Sequence, residues 1–310
     1  MTGGMRVSEF EARLSEIADA TEHMLDSLLS PSILPGETTR PARFLEAMRY
    51  ASLGGGKRLR PFLMIETARL LGVEGEGVLR AAAALEMIHC YSLVHDDLPA
   101  LDNDDLRRGR PTTHKAFDEA TAILVGDGLL TYAFDVMADR ATHANPEVRI
   151  ELVLALARAA GLGGMIGGQV LDLEAEQARE PHQAEAVIQL QSMKTGALLH
   201  YAVDAGAILG RAKAPARAAL SAYGHALGAA FQVADDILDV EADELALGKR
   251  AGKDAGRNKA TLVAALGLDA ARERRDSLVA SAIAALDAFP PDAKTAVLIE
   301  AARFVAARQH

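Results

Sequence analysis

The chain has 310 residues, of which 50% are hydrophobic and 25% charged, enough to bury a large core as one large domain or two modest ones. A net charge of −10 argues against nucleic acid as a partner, because nucleic-acid binding requires a basic face. The single cysteine, Cys90, excludes an internal disulfide and is typical of a reducing compartment.

The N-terminal residues contain no apolar core of signal-peptide length, and no stretch approaches the roughly 20 uncharged apolar residues that span a bilayer. We therefore expect a cytoplasmic protein without a membrane span. No shift in composition marks a domain boundary, so we expect a single domain over residues 1–310, with residues 1–7 as a disordered extension.

Hydrophobic periodicity is helical along nearly the whole chain, alternating β-branched runs are absent, and alanine and leucine are abundant. Proline and glycine separate the helices, for example at Gly72 and Pro111. Several helices are apolar on most of their circumference, which predicts an all-α bundle. Asp269 is predicted to cap its helix. The predicted helices span residues 8–29, 42–52, 61–71, 77–98, 117–138, 146–160, 163–177, 184–209, 215–241, 259–266, 269–286 and 291–307.

A glycine-rich turn, G-G-G-K-R-L-R-P, occupies residues 54–61 and leads into a helix with proline near its first turn. Glycine lets backbone N–H groups approach an anion, a helix N-terminus favours negative charge, and Lys57 and Arg60 lie alongside. The turn therefore indicates either a diphosphate pocket or a flexible turn with solvated basic residues. It is not a P-loop, because the G-x-x-x-x-G-K-[ST] spacing is missing.

An unusual cluster of charge follows the apolar run 81–94, with five aspartates and three arginines inside residues 92–111. Carboxylates this close repel one another and are costly to bury unless a cation pairs with them. Their oxygens suit Mg²⁺, and arginine binds phosphate in a bidentate fork. The cluster therefore predicts a site for Mg²⁺ and diphosphate, with a solvated loop of mixed charge as the alternative. Its members are Asp96, Asp97, Asp102, Asp104, Asp105, Arg107, Arg108 and Arg110.

The helix before this cluster adds further candidates. His89, Ser92 and Asp96 share one stripe at spacing i, i+3 and i+7, so His89 can face the same cavity, although a core histidine bonded to a carbonyl would show the same spacing. Tyr91 precedes Asp96 by five residues, about 7.5 Å along the axis, but simple helical phase places it well round from that aspartate. Proline at position 99 breaks the helix, so the place of Asp102 does not follow helical phase.

A second aspartate cluster, F-Q-V-A-D-D-I-L-D, occupies residues 231–239, roughly 140 residues after the first. One helical arc about 100° wide, separate from the apolar seam of the same helix, contains Gln232, Asp235, Asp236 and Asp239. Asp235 and Asp239 are like charges at i and i+4, which destabilise a bare helix, and a metal between them would reverse that effect. Two such clusters are difficult to attribute to chance. The seam comprises Leu220, Tyr223, Leu227, Ala230, Ala234 and Ile237.

Five glycines between residues 161 and 168 precede Gln169 and Asp172. Glycine within a helix most simply indicates the close approach of another backbone, which is the interpretation we favour. Gln169 and Asp172 can still reach a cavity from the same helix.

Together these motifs resemble the trans-isoprenyl diphosphate synthases, and most closely the bacterial farnesyl diphosphate type. The resemblance covers residues 54–259 and rests on several motifs in the family's order. They are G-G-K-R-L-R-P, D-D-L-P-A-L-D with D-D-L-R-R-G-R-P, G-G-Q-V-L-D-L, M-K-T-G, F-Q-V-A-D-D-I-L-D and L-G-K-R-A-G-K-D.

The resemblance implies a single all-α bundle around a deep central cavity, usually in a homodimer. The implied activity is head-to-tail (1'-4) prenyl transfer, in which isopentenyl diphosphate condenses with dimethylallyl and geranyl diphosphate to give farnesyl diphosphate. The implied cofactor is Mg²⁺, up to three ions, with Mn²⁺ as a possible substitute.

The resemblance also implies roles for particular residues. Metal binding falls to Asp96, Asp97 (or Asp96 alone of that pair), Asp102, Asp235 and Asp239, with Asp236 in the same catalytic motif. The allylic diphosphate is assigned to Arg107, Lys194, Lys249 and Lys259, and isopentenyl diphosphate to Lys57, Arg60, His89 and Arg108. Thr195 and Gln232 are placed near the allylic tail, where their oxygen dipoles can stabilise a cation.

Product length is implied to depend on Tyr91 and Ser92. An aromatic residue at the first position, with a two-residue insertion in the first motif, is typical of the farnesyl type, whereas a small residue or methionine permits longer products. The segment 248–256 resembles a mobile flap that carries Lys249 to the site.

Two departures from the family pattern concern the C-terminal part. Leu262 and Val263 stand where an aromatic-proline pair is frequent, and the tail keeps Arg308 but lacks the lysine that often follows. Three alternatives stay open: a geranylgeranyl diphosphate synthase with a deeper pocket, a non-catalytic regulatory homologue, and a terpene cyclase. A regulatory homologue would tend to lose motif residues, and a cyclase would not need the second diphosphate pocket.

Overall fold

The computed structural model describes residues 7–178, 183–247 and 261–307, and these are almost entirely helical. The predicted all-α fold is confirmed, with one small hairpin added. The helices are α1 (Val7–Leu28), α2 (Ala42–Ser52), α3 (Leu59–Leu70), α4 (Glu76–Asp96), α5 (Thr113–Ala116), α6 (Glu119–Ala138), α7 (Pro146–Ala160), α8 (Met165–Glu176), α9 (Ala184–Gln191), α10 (Ala197–Leu209), α11 (Ala214–Leu247), α12 (Leu262–Leu266), α13 (Leu268–Ala285) and α14 (Ala293–Ala307).

Helix ends agree with the sequence prediction to within a few residues in most places, and the differences have local causes. The helix predicted over 117–138 begins at Glu119, because Asp118 caps it by accepting a 2.7 Å hydrogen bond from the Thr121 backbone N–H. The predicted cap at Asp269 is wrong: Gly267 occupies that place with φ 86°, and Asp269 lies in the first turn of α13. Val7 begins α1, and the rest of the extension predicted over 1–7 lies outside the described residues.

The hairpin that follows the first aspartate cluster was not predicted. Strands β1 (Leu106–Arg107) and β2 (Arg110–Pro111) pair antiparallel, with Arg107 opposite Arg110. Arg108 and Gly109 form its two-residue turn with φ 52° and 75°, the left-handed values that tight hairpins require. The hairpin therefore gives the arginines of the cluster fixed positions.

The chain divides into two compact units. The N-terminal unit comprises Glu11–Ile65 and Val73–Val153, and the C-terminal unit comprises Leu154–His310 with Met1–Phe10 and Glu66–Gly72. In the N-terminal unit, α4 packs along α6, and Gly126 of α6 makes room for the His95 ring, where a Cβ would clash. The His95 Nε2 atom then lies 3.0 Å from the Ile123 carbonyl oxygen, and this contact fixes the last turn of α4.

In the C-terminal unit, α11 packs against α10 and α13. All six residues of the predicted apolar seam on α11 are buried, which confirms that prediction. The seam is tied to α14 where the Tyr223 hydroxyl donates a 2.8 Å hydrogen bond to the Leu298 carbonyl. This packing positions the second aspartate cluster at the far end of the seam.

In the part of the chain that the structure describes, three segments are long and apolar enough to cross a membrane by length and composition: Glu76–Asp96, Glu119–Ala138 and Pro146–Glu176. The first has 67% of its apolar window buried within the protein, so the protein core accounts for its composition. The other two have 39% and 28% buried, which leaves apolar surface on α6 and α7.

Candidate active site

The glycine turn before α3 is a shaped element. Gly55 and Gly56 have φ 73° and 123°, and Arg58 has φ 47°. The Arg108 guanidinium donates a hydrogen bond to the Gly55 carbonyl, and a Cβ on Gly56 would lie 2.6 Å from an Arg108 nitrogen. Glycine is therefore required here, because the turn and the hairpin arginine are in direct contact.

A cluster of positive charge surrounds His89 on α4. Burial lowers the pKa of His89 well below its usual range, and the charges of Arg60, Arg108, Arg58 and Arg107 lower it further. The imidazole is therefore neutral at physiological pH. Arg60 and Arg108 thus lie close enough to His89 to act on it by charge, and Lys57, the fourth residue assigned to isopentenyl diphosphate by the resemblance, lies exposed in the glycine turn.

The carboxylates at the end of α4 fall into two kinds. Asp97 is buried, with Arg107 donating to its Oδ1 from Nε at 2.8 Å and from Nη2 at 2.6 Å. Burial raises the pKa of Asp97, and the Arg107 hydrogen bond opposes that shift. Asp96 and Asp102 are half-buried, and the Asp102 backbone N–H donates a 2.9 Å hydrogen bond to the Asp96 carbonyl. A turn thus returns Asp102 to the end of the helix beside Asp96.

A cavity of about 60 Å³ lies on the Cys90 and Asp97 side of α4, beside the hairpin arginines. Arg110 packs over the Tyr50 ring at 4.2 Å, and the Tyr50 hydroxyl donates a 2.7 Å hydrogen bond to the Pro111 carbonyl. Burial raises the pKa of the Cys90 thiol to about 12, so the thiol stays protonated and is a poor nucleophile. Cys90 is a free, buried cysteine.

The second cluster, on α11 of the C-terminal unit, divides in the same way. Asp236 is buried, and its Oδ2 accepts hydrogen bonds from Gln191 Nε2 at 2.8 Å and from the Leu262 backbone N–H at 2.7 Å. Burial raises the pKa of Asp236, and these two hydrogen bonds oppose the shift. Asp235 is half-buried and Asp239 is exposed. The arc predicted from helical phase therefore contains one buried aspartate, Asp236.

Gln232, one turn earlier, has a buried Oε1 with no hydrogen-bond donor among the residues that the structure describes. A buried acceptor without a donor is costly, and such atoms mark strained or functional positions. The oxygen dipole that the family resemblance assigns to Gln232 is thus available for an electropositive group.

Lys194 and Thr195 lie on a π-helical turn, Ser192–Gly196, which interrupts the helix predicted over 184–209. Lys194 Nζ pairs with Asp172 Oδ2 at 2.5 Å. A Cβ on Gly168 would collide with the Lys194 backbone, so the predicted close approach at this glycine is confirmed. The ion pair was not predicted from the sequence. The available signal was the i, i+4 spacing of Gly168 and Asp172, which places Asp172 on the face of α8 that another backbone approaches.

Tyr91 is buried, with its ring edge-on to His95 at 5.8 Å. Its hydroxyl has no hydrogen-bond partner within the described part of the chain. Burial and the nearby Asp96 charge raise the pKa of Tyr91 to about 12, so the phenol is neutral. Ser92 donates a 2.8 Å hydrogen bond to the His89 carbonyl, which directs its hydroxyl at its own helix.

Several predicted elements lie outside the described residues: Lys249, Lys259, the flap over 248–256 and Arg308. Within residues 7–178, 183–247 and 261–307, no group of three or more His, Cys, Asp or Glu side chains is arranged as a metal site. The donor chemistry nevertheless fits a hard cation, because Asp96, Asp102, Asp235 and Asp239 offer only carboxylate oxygens.

Fold and site together define an all-α protein with two aspartate clusters and a cationic cluster around His89. The sequence model of the polyprenyl synthetase family matches residues 41–301, and the chain belongs to that family.

Among its relatives, the chain is 48% identical to a farnesyl diphosphate synthase of Geobacillus stearothermophilus over 235 residues, which are 76% of this chain and 78% of the relative. It is 44% identical to the farnesyl diphosphate synthase of Escherichia coli (strain K12) over 279 residues, 87% of this chain and 89% of the relative. The apo structure of an FPP/GFPP synthase from Zymomonas mobilis superposes with a TM-score of 0.86 at 41% identity, covering 97% of this chain and 100% of that one.

Proposed function

We propose that the protein is a prenyltransferase that condenses isopentenyl diphosphate with dimethylallyl and then geranyl diphosphate to give farnesyl diphosphate. The observation that carries the proposal is the arrangement along α4. A cationic cluster around His89 and a carboxylate pair, Asp96 and Asp102, lie about 10 Å apart along one helix axis. One helix thus offers a cationic site for one diphosphate and, at its C-terminal end, carboxylates for the metal-bound diphosphate of a second substrate.

The carboxylates Asp96, Asp102, Asp235 and Asp239 would hold Mg²⁺, up to three ions, with Mn²⁺ as a substitute. Bound Mg²⁺ would neutralise charge on the departing pyrophosphate. Asp96 is the ligand we assign within its pair, because Asp97 is buried against Arg107. Asp97 and Asp236 then act from inside the protein, the first by orienting Arg107 and the second by joining α11 to α9 and α12.

The other residues near the allylic substrate serve electrostatic roles. Arg107, Lys194, Lys249 and Lys259 neutralise the diphosphate, and the short Lys194–Asp172 pair limits where that ammonium can lie. Thr195 and Gln232 direct oxygen dipoles at the developing carbocation. No protein nucleophile takes part, which agrees with the protonated state of the Cys90 thiol.

Isopentenyl diphosphate would bind to Lys57, Arg60, His89 and Arg108. A neutral His89 can donate one hydrogen bond to a phosphate oxygen without adding another charge to a crowded cationic site. Arginine at two of these positions suits the planar, bidentate grip that a diphosphate accepts.

We expect farnesyl diphosphate as the product, because a buried aromatic side chain, Tyr91, occupies volume near the end of α4 and would limit the length of the growing chain. Ser92 is small, which keeps geranylgeranyl diphosphate as the alternative product. A regulatory homologue and a terpene cyclase are less well supported, since every motif aspartate and the cationic cluster for a second diphosphate are retained.

The assembly we propose is a cytoplasmic homodimer without a membrane span, in which the whole chain acts as one catalytic domain. Support for the dimer comes from apolar side chains on the outside of the N-terminal unit: Ile123 and Leu124 of α6 are 47% and 56% exposed, and Ile150 of α7 is 68% exposed. Large exposed aliphatic groups on neighbouring helices favour association. Light scattering of the purified protein should give twice the mass of the chain.

The decisive experiment is an assay of purified protein with dimethylallyl and isopentenyl diphosphates, with and without Mg²⁺, followed by chromatography of the dephosphorylated products. We expect farnesol as the main product and none without metal. A dominant C20 alcohol would overturn the farnesyl assignment. Binding of the allylic substrate without binding of isopentenyl diphosphate would favour the cyclase.

A further inference from the structure

Arg58 stands between two proposed ligands of isopentenyl diphosphate, Lys57 and Arg60, but has a different environment from both. It is buried, with 1% of its side chain exposed, and its backbone has φ 47°. Residues other than glycine rarely hold a left-handed backbone conformation, which persists only when surrounding contacts enforce it. The contacts of Arg58 supply that enforcement.

Three groups from three helices receive the Arg58 guanidinium. One terminal nitrogen donates to Glu86 Oε1 of α4 at 2.6 Å, and the other donates to Glu22 Oε2 of α1 at 2.5 Å and to the Ser52 carbonyl of α2 at 2.6 Å. Burial by itself would lower the pKa of Arg58, but the Glu86 and Glu22 carboxylates outweigh it and raise the pKa above its ordinary value. The guanidinium is therefore permanently charged, and both of its terminal nitrogens are engaged inside the protein.

The positions of these partners connect Arg58 to the anion site. Glu86 precedes His89 by three residues on α4, so both project from the same side of that helix. Arg58 precedes Arg60 by two residues, at the start of α3. The bond between Arg58 and Glu86 thus sets how far the Arg60 backbone lies from His89. Direct binding of substrate by Arg58 itself is disfavoured, because its charge is already shared between two carboxylates.

We propose that Arg58 is a positioning residue: its bonds to Glu22, Glu86 and the Ser52 carbonyl hold the glycine turn so that Lys57 and Arg60 face His89 across the isopentenyl diphosphate site. This inference rests on the proposed function. Lysine cannot replace arginine in this role, since an ammonium on a flexible stem lacks the planar fork that reaches three acceptors in fixed directions.

The test is Arg58→Lys, assayed with each substrate varied in turn. We expect KM for isopentenyl diphosphate to rise about tenfold. This is the effect of losing one charge-assisted hydrogen bond between the displaced turn and the diphosphate. Both kcat and KM for dimethylallyl diphosphate should stay within about twofold, since the carboxylates at the end of α4 are untouched. An increase in KM confined to one substrate would not follow from general loss of stability.

The matched control is Arg69→Lys. Arg69 also pairs with a buried glutamate, Glu66, at 3.1 Å, and lies in the last turn of the same helix. This variant should lower the melting temperature no more than Arg58→Lys does, because Arg69 is 29% exposed, and it should leave KM for isopentenyl diphosphate unchanged. Equal KM increases in both variants would overturn the proposal.

Glu22→Gln keeps the measurement possible if Arg58→Lys does not fold, because the Glu22 side chain is 32% exposed and tolerates neutralisation. Glu22→Gln should raise KM for isopentenyl diphosphate by a smaller factor than Arg58→Lys. Where Arg58→Lys does fold, the double variant should have nearly the same KM as Arg58→Lys alone. Unchanged KM in a folded variant would overturn the inference while the proposed function stands. Wild-type protein that neither binds nor consumes isopentenyl diphosphate would overturn both.

Discussion

Asp236 accepts a 2.8 Å hydrogen bond from Gln191 Nε2, which ties the second aspartate of its motif to the end of α9. Asp97, the second aspartate of the other motif, is held in a comparable way by Arg107. Each Asp-Asp pair thus contains one buried carboxylate, which is held by hydrogen bonds within its own unit. The division implies that the two members of a pair will respond differently to the same substitution.

Asp235→Ala is expected to lower turnover by several orders of magnitude and to leave the melting temperature nearly unchanged. Asp236→Ala should instead destabilise the protein by about 1–3 kcal/mol, because Gln191 and the Leu262 N–H lose a buried acceptor. Melting curves and kcat for the two variants, with Asp96→Ala as the counterpart in the first motif, check the prediction. Near-normal turnover in Asp235→Ala or Asp96→Ala would contradict the metal assignment.

Metal removal should abolish prenyl transfer reversibly. Treatment with a chelator followed by desalting is expected to leave less than about 1% of the activity, and added Mg²⁺ should restore it, because carboxylate oxygens are hard ligands with modest affinity. Asp102→Asn should raise the Mg²⁺ concentration for half-maximal rate several-fold. Activity that persists in excess chelator would show that the carboxylates serve another purpose.

The apolar seam of α11 could be predicted because it depends only on helical period, which residues such as Tyr223 and Leu227 follow. The place of Asp102 could not, since a backbone bond to the Asp96 carbonyl sets it after a proline has ended the helix. Helical phase also could not separate Asp235 from Asp236, because the partners of Asp236 come from distant parts of the chain.

The role of Arg58 was equally hidden. Its motif contains three basic residues in a row of four, and nothing in their spacing indicates that one of them is buried. Only the tertiary contacts with Glu22 and Glu86 distinguish it from Lys57 and Arg60. Local patterns therefore indicate the segments of the candidate site. Burial, which only the tertiary structure shows, distinguishes the structural side chain of a segment from those proposed to bind substrate.

Tyr91 offers a test of product length with an internal control. Tyr91→Ala removes a buried ring and is expected to shift the main product from C15 to C20, measured by reverse-phase chromatography. Tyr91→Phe should keep the C15 product and cost little stability, since the hydroxyl has no partner among the described residues. A C15 product from Tyr91→Ala would show that other side chains limit the chain.

Acid should destabilise the C-terminal unit through His200. This ring stacks on His225 at 3.8 Å, with its Nε2 2.9 Å from Ser221 Oγ. Burial and then His225 lower the pKa of His200 to about 4, Asp204 raises it and Arg217 lowers it. Between pH 6.5 and 4 the unfolded chain therefore binds a proton that the folded chain does not, so stability is present above pH 6.5 and is lost as the pH falls towards 4.

His200→Gln keeps a polar group near Ser221 and removes that titration, so its melting temperature should fall less steeply between pH 6.5 and 4 than that of the wild type. The difference corresponds to about 2 kcal/mol after allowance for partial solvent contact. His23→Gln, at an exposed position on α1, is the control and should leave the wild-type slope unchanged. Parallel curves for His200→Gln and wild type would contradict the assignment.

The glycine-rich segment that joins α7 to α8 and continues into α8 provides the last test, with two glycines of opposite surroundings. A Cβ on Gly168 would collide with the Lys194 backbone, whereas a Cβ on Gly163 would meet nothing within 4 Å. Gly168→Ala should destabilise the protein by about 1–3 kcal/mol, because either α8 or the π-helical turn has to move. Gly163→Ala should be neutral or slightly stabilising.

The same comparison separates packing from catalysis. Because the π-helical turn carries Lys194 and Thr195, its displacement in Gly168→Ala should lower kcat at least tenfold at temperatures where the variant is fully folded, and weaken the 2.5 Å pair with Asp172. Circular dichroism establishes the folded fraction, and steady-state kinetics at that temperature measures kcat. A folded Gly168→Ala enzyme with the kcat of Gly163→Ala would show that catalysis does not depend on the position of this turn.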